Sequence, residues 1–304
     1  MINPIIFSFK LFSLTLTLRW YGVLVMFGAV IATWLAEKEI NRRGEKGESI
    51  WDALIWVLPI GIIGARAWYV VNNIFGGGTY YIENPIKTLY IWEGGLHIFG
   101  GFLFGGIALI IYLRKQKMDT WLFLDSIAPV TLIGQAVARP ANFINQELYG
   151  QPTNLPWGIL IQAAHRLPQY ADLKLFPVET TRFHPTFAYE MIWNFLAASI
   201  LIWYSRQYKE RMKPGAAFSA WLILAGIGRS IIELFRPDQP LIPDTFITYS
   251  MAVSILMAVL GILMLFVRYG KLKFAFAENW EEKYQISQPS KEKKVVEAKD
   301  IELK

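Results

Sequence analysis

The chain has 304 residues, of which 54% are hydrophobic, 15% aromatic and 18% charged. Charge is scarcer than the roughly one quarter usual for a soluble domain and is gathered in short clusters between long apolar runs, which excludes an ordinary soluble globule. A net charge of +6 fits basic loops at an inner membrane surface, not nucleic acid, and the absence of cysteine excludes disulfides, thiolate metal sites and a cysteine nucleophile of its own.

A helix that crosses the bilayer core needs about 20 mostly apolar residues. No basic region precedes the first apolar run, so a signal-peptide layout is not expected. Seven stretches read as spans: 20–36, 51–73, 98–113, 121–138, 187–204, 217–235 and 245–267. They lack the alternation of a membrane barrel, so the expected fold is an all-α integral membrane protein with seven transmembrane helices. The loops EKEINRRGEK (37–46), RKQK (114–117) and RQYKERMK (206–213) are basic and fall on one side, which the positive-inside rule makes cytoplasmic. The N-terminus then faces outward and the C-terminus inward. Residues 1–269 form the expected membrane domain. Within it the long polar segment 140–186 reads as a small extracytoplasmic cap. Residues 270–304 read as a charged, disordered cytoplasmic tail, and no internal repeat is evident.

Helical rise places the polar residues of these runs at one level. Arg66, Arg139, Arg229 and Glu233 fall in the outer half of their spans. Tyr21, His97 and HPTFAYE (184–190) stand where helices meet the outer surface, whereas Asp125 lies near the cytoplasmic end. Charges at such depth cost several kcal/mol unless they pair, snorkel or face a cavity. Each residue has a plain structural reading: Arg139 and Arg236 snorkelling, Arg229 paired with Glu233 at i, i+4, Tyr21 as an interfacial anchor, His165 on the cap surface, His184 capping the fifth span. Together they suggest a hydrated outer cavity for an anionic amphiphile. Arginine forks match phosphate, and Asn142, Asn145 and Glu147 after Arg139 suit the hydroxyls of glycerol. The glycines of GGLHIFGGFLFGG (94–106) would admit another chain or a lipid tail close to the third helix. No hydrolase triad, HExxH, Walker loop or metal cluster is present. A lipid transferase, a transporter or flippase for an anionic lipid or metabolite, and a membrane scaffold remain the competing readings.

ARPANFINQELYG (138–150) resembles the signature of the prolipoprotein diacylglyceryl transferases, with Arg139, Ala141, Asn142, Phe143, Asn145, Glu147 and Gly150 in its places and Ala138 replacing the leading glycine. The likeness continues, in order, through RWYG (19–22), GARAWYVV (64–71), EGGLHIFGG (93–101), HPTFAYE (184–190) and GRSIIELFRPD (228–238). The resemblance implies a multi-pass enzyme of the bacterial inner membrane, active without a cofactor or metal. It implies transfer of the diacylglyceryl group of phosphatidylglycerol to the lipobox cysteine of preprolipoprotein signal peptides, the first step of lipoprotein maturation. Arg139 and Arg229 would hold the phosphate, and Asn142, Glu147 and Gly150 would shape the headgroup site; Tyr21, Glu233 and Arg236 also match functional positions, and Arg66 and Asn145 lie in matching motifs. The family often has a histidine directly before the paired glycines as the base for the thiol. Here Phe99 stands there and the histidine is His97, two residues earlier: it is the expected base, the alternative being arginine stabilisation of the departing phosphate with the thiol proton lost to water or a carboxylate. Ala225 replaces an expected tyrosine.

Overall fold

The computed structural model describes residues 2–11, 14–91, 94–277, 280 and 282–286; the rest of the charged tail, 287–304, lies outside the described residues. The chain is mostly helical: α1 (Trp20–Arg42), α2 (Ser49–Phe75), α3 (Tyr80–Glu83), α4 (Ile98–Lys115), α5 (Thr120–Ala138), α6 (Pro140–Asn145), α7 (Thr186–Gln207), α8 (Ala216–Glu233) and α9 (Tyr249–Arg268). Among the described residues, six stretches are long and apolar enough to cross a membrane: α1, α2, α5 continued by α6, α7, α8 and α9. The third expected run is α4, a helix of 18 residues. Apolar side chains such as Ile55, Trp56, Ile63, Ile200 and Trp203 are exposed along these helices, the inverse of a soluble surface. The protein is a multi-pass membrane protein.

Helix ends depart from the apolar runs where polar groups set them. α1 continues to Arg42, where Glu39 and Arg42 pair at 2.8 Å, three residues apart. α9 begins at Tyr249 and not at 245, because the Thr248 side chain caps it by accepting from Met251 N at 3.0 Å. Two small antiparallel sheets stand beside the helices, a departure from a purely helical chain. β1 (Ile5–Leu11) pairs with β2 (Leu14–Arg19), and β3 (Ile159–Leu160) with β4 (Arg182–Phe183).

The chain divides into two compact units, Met1–Ala36 with Leu124–Lys283 and Glu37–Phe123 with Tyr284–Lys304. In the first, Leu132 of α5 and Ala197, Ala198 and Leu201 of α7 form a core against Ala220, Leu224 and Ala225 of α8. A second core (Tyr149, Ile161 and Phe183) organises the segment between α6 and α7. Arg166 is buried there, donating to Ile161 O at 3.0 Å and to Phe176 O, with its guanidinium 5.3 Å from the Phe183 ring centroid. In the second unit α2 and α4 touch through backbone: a Cβ on Gly100 would lie 2.3 Å from Gly64 O. Of the glycines expected to admit a lipid tail or another chain, Gly95, Gly100, Gly101 and Gly105 therefore admit α2, whereas Gly94 and Gly106 face open space.

Asp125, the polar residue at the wrong depth for an outer cavity, has a structural task. It is fully buried and accepts from Gly215 N at 2.6 Å and Phe218 N at 2.7 Å, so its carboxylate serves the unsatisfied amides and positive end of α8. Asp125→Ala should lower stability by about 2–4 kcal/mol, because charge-assisted hydrogen bonds are lost and buried amides are left bare. Thermal unfolding in detergent measures this, and an unchanged midpoint would refute the assignment.

Candidate active site

The site begins where α5 stops. Pro140 has no amide hydrogen and cannot continue the α5 ladder, but its fixed φ suits the first position of a new helix, so α6 starts there. Arg139 is held at this joint, its amide turned to Ala136 O at 3.2 Å. α6 ends at Gln146, which is left-handed at φ 53°, as is Leu148 at φ 54°. This tight reversal turns Glu147 back toward α6. One oxygen of Glu147 accepts from Asn142 Nδ2 at 2.9 Å and from Asn145 Nδ2 at 3.1 Å. Gly150 continues the turn, donating to His184 O at 2.8 Å, where a Cβ would lie 2.7 Å from Phe235 O. Beneath it, Asn145, Glu147, Tyr149, His165 and Asp238 share the lining of a cavity of about 250 Å³.

Two further helices bring charge around Arg139, and a third adds a hydroxyl. Its Nη2 is ion-paired with Oε1 of Glu190, in the second turn of α7, and its Nη1 donates to Asn142 Oδ1 at 3.4 Å. Arg229 of α8 lies 2.8 Å from Glu233 Oε2 at i+4, an ion pair whose angle falls short of a hydrogen bond. It also stands 3.9 Å from Glu190 Oε2 and donates through Nε to Ser250 Oγ of α9 at 3.0 Å. Thr248 donates to the other oxygen of Glu233 at 3.3 Å. Glu190 thus lies between the two arginines. α7 and α8 are locked one turn away by Trp193, whose indole donates to Leu224 O at 2.9 Å across Gly228, where a Cβ would lie 2.0 Å from Nε1.

Arg139 and Arg236 differ in how they are filled. Arg236 holds Asp238 with both donors of one edge, Nε at 3.1 Å and Nη2 at 2.7 Å. Burial works to raise the Asp238 pKa, but the Arg236 fork outweighs it and holds the carboxyl below its ordinary value. Arg139 uses only Nη2 of the same edge, and its Nε is buried without a hydrogen-bond partner. That edge keeps one donor for a second oxygen acceptor.

Tyr21, Arg139, Asn142, Asn145, Glu147, Gly150, Arg229, Glu233 and Arg236 belong to the first unit; Tyr21 is exposed at the start of α1. Arg66 and His97 belong to the second. Arg66 is buried and donates to four backbone carbonyls: Lys87 at 2.5 Å, Thr88 at 2.8 Å, Gly94 at 2.7 Å and Gly95 at 3.1 Å. It clamps the loop that leads to His97. His97 is the N-cap of α4, with its Nδ1 accepting from Phe99 N at 3.4 Å and its amide donating to Ala65 O at 3.0 Å. It therefore stands before the helix, where the expected two-residue offset is not a fixed helical rotation. A neutral ring that accepts at Nδ1 carries its proton on Nε2. In sequence Glu190 stands only as the last residue of HPTFAYE (184–190), with no role assigned to it; its partner Arg139 lies 51 residues away along the chain.

A family model described as prolipoprotein diacylglyceryl transferase matches residues 9–267. A phosphatidylglycerol–prolipoprotein diacylglyceryl transferase of Chloroflexus aggregans is 37% identical over 244 residues, 78% of each chain. Proteins of the same name from Halalkalibacterium halodurans and Enterococcus faecalis are 36% identical over 257 residues and 32% identical over 280. The first of these alignments covers 84% of both chains, the second 92% of this chain and 96% of the relative.

His184 joins the segment between α6 and α7 to α7 itself: its Nδ1 lies 3.0 Å from Tyr189 Oη, which also accepts from the Trp157 indole at 2.8 Å. Burial lowers its pKa below the ordinary imidazole value. The unfolded chain then binds more protons there than the folded one, so this contribution to stability is complete above about pH 6.5 and declines as pH falls below it. His184→Gln should flatten the fall in thermal midpoint between about pH 7 and 5; an unchanged slope would show that His184 is not responsible.

Proposed function

We infer the activity from one premise: the chain belongs to the prolipoprotein diacylglyceryl transferase family. It is a membrane transferase, and the names of its relatives give its substrates as phosphatidylglycerol and a prolipoprotein. In this reading the thiol of the lipobox cysteine attacks the glyceryl carbon that bears the phosphoester oxygen. A C–S bond forms, that C–O bond breaks, the thiol proton passes to a base, and glycerol phosphate departs. The chain has no cysteine, which agrees with a nucleophile supplied by the peptide.

The observation that carries the site assignment is the half-filled fork of Arg139, with a buried Nε awaiting an acceptor. Phosphate oxygens suit that edge, and Arg229 takes charge that develops on the leaving group. Asn142, Asn145 and Glu147, with the turn fixed at Gly150, take the glycerol hydroxyls beside the cavity under Tyr149. Glu233 neutralises Arg229, Arg236 fixes the loop after α8 through Asp238, and Tyr21 meets the headgroup region at the start of α1. Arg66 contributes through the loop it clamps. His97 is the base; its free lone pair lies at Nδ1, so taking the thiol proton there gives up the cap to Phe99 N, a bond at 3.4 Å that costs little to release.

α4 is the seventh span, the N-terminus and residues 140–186 lie outside, and 270–304 lies in the cytoplasm. The basic clusters at 37–46, 114–117 and 206–213 support this orientation in the cytoplasmic membrane of a bacterium, the kind of organism that carries the relatives.

Incubation of the purified protein with phosphatidylglycerol and a lipobox peptide, followed by mass measurement of the cysteine, tests the activity directly. Arg139→Ala should reduce transfer by about 10² to 10³ while the protein still inserts, and Arg139→Lys should recover little of it, because a point charge does not reproduce the fork. Full activity in the alanine variant would remove Arg139 from the mechanism. His97→Ala should lower turnover by about 10² to 10⁴, with lipid binding retained and the deficit shrinking as pH approaches the thiol pKa near about 8.5. Unaltered turnover from pH 6 to 9 would end its role as base.

A further inference from the structure

Resting on that reading, we propose that Glu190 is an internal stand-in for the phosphate, which occupies the arginine fork between turnovers and expels the glycerol phosphate product. The two oxygens of one carboxylate face the two arginines: Oε1 is paired with Arg139 Nη2, and Oε2 lies 3.9 Å from Arg229 Nη1. Two oxygens of a phosphodiester would address the same pair of guanidiniums.

The way Glu190 is held separates it from a structural ion pair. Asp238 fills both donors of its arginine edge, whereas Glu190 takes one and leaves Nε of Arg139 buried and bare. Arg229 does not depend on Glu190 for neutrality, because Glu233 lies closer, at 2.8 Å. Glu190 is thus a partner that a bidentate anion can displace, and the bare Nε is the position from which displacement starts.

Displacement has a reverse. Cleavage of the C–O bond turns a phosphodiester into a phosphomonoester, which carries more negative charge at neutral pH and binds two arginines more tightly than the substrate did. A carboxylate attached to α7, always at hand, competes for the same donors and shortens the stay of that product. Glu190 is a positioning residue in this account: it acts on the arginines and touches no reacting atom.

The test is kinetic. In Glu190→Gln the side chain keeps its shape but no longer competes as an anion. KM for phosphatidylglycerol should fall about tenfold, and glycerol 1-phosphate should inhibit about tenfold more strongly. Thioether product should then appear as a burst of about one equivalent per enzyme, followed by turnover slowed about tenfold. Glu190→Ala, which also vacates the fork, serves where the glutamine variant does not accumulate in the membrane. A purely structural Glu190 would instead give a higher or unchanged KM and no burst in the molecules that fold, and either result overturns the proposal. Wild-type protein that forms no thioether from phosphatidylglycerol would refute the transferase reading itself, whatever the Glu190 variants do.

Discussion

Charge placed among lipid-facing helices has to be matched, and this requirement organises the first unit. Arg139 and Arg229 are matched by Glu190 and Glu233, drawn from α7 and α8, with Ser250 of α9 and its capping residue Thr248 adding an acceptor and a donor. An unmatched guanidinium at that depth would cost several kcal/mol, so each helix that brings a charge obliges another to answer it. The proline joint at Arg139 and the bare backbone at Gly228 serve this end: one holds the guanidinium at a helix terminus, the other lets Trp193 draw α7 against α8. A site assembled in this way has its charges paired before any ligand arrives, and it leaves without a hydrogen bond the Nε of Arg139 and Oε2 of Glu233, the latter ion-paired with Arg229.

The spans were legible because apolar length is a property of consecutive residues. Their ends were less so, since Thr248 and Glu39 act through single side-chain bonds that hydropathy does not register. The pair Arg229 and Glu233 could be read at i, i+4, and the motif from Arg139 to Gly150 could be read as a unit; both are local in the chain. Glu190 could not, because its meaning depends on two arginines, one 51 residues away in sequence. Asp125 looked anomalous by depth, and only the neighbouring α8 terminus explains it. The pairing of β1 with β2 was also missed: an isolated pair of strands gives a short, weak alternation beside the signal of the following helix.

Residue chemistry alone left a transferase, an anionic-lipid transporter and a scaffold open, because arginines facing a cavity suit all three. Family membership decides among them in favour of the transferase. The geometry adds something the family name does not contain, namely a contrast between two arginines of one unit. Arg236 is saturated by Asp238 and behaves as architecture, while Arg139 keeps a donor unspent.

α5 also acts as a depth gauge. It is 19 residues long, or roughly 28 Å at the helical rise, close to the thickness of the hydrocarbon layer. Asp125 sits near one end and Arg139 just past the other, each fixed by its own bonds to neighbouring elements. If Arg139 holds the phosphate as proposed, it does so at a single face of the bilayer, with the headgroups of the opposite leaflet a full membrane thickness away. An enzyme built in this way would draw on one leaflet only, and its supply of lipid would follow the rate at which phosphatidylglycerol reaches that side.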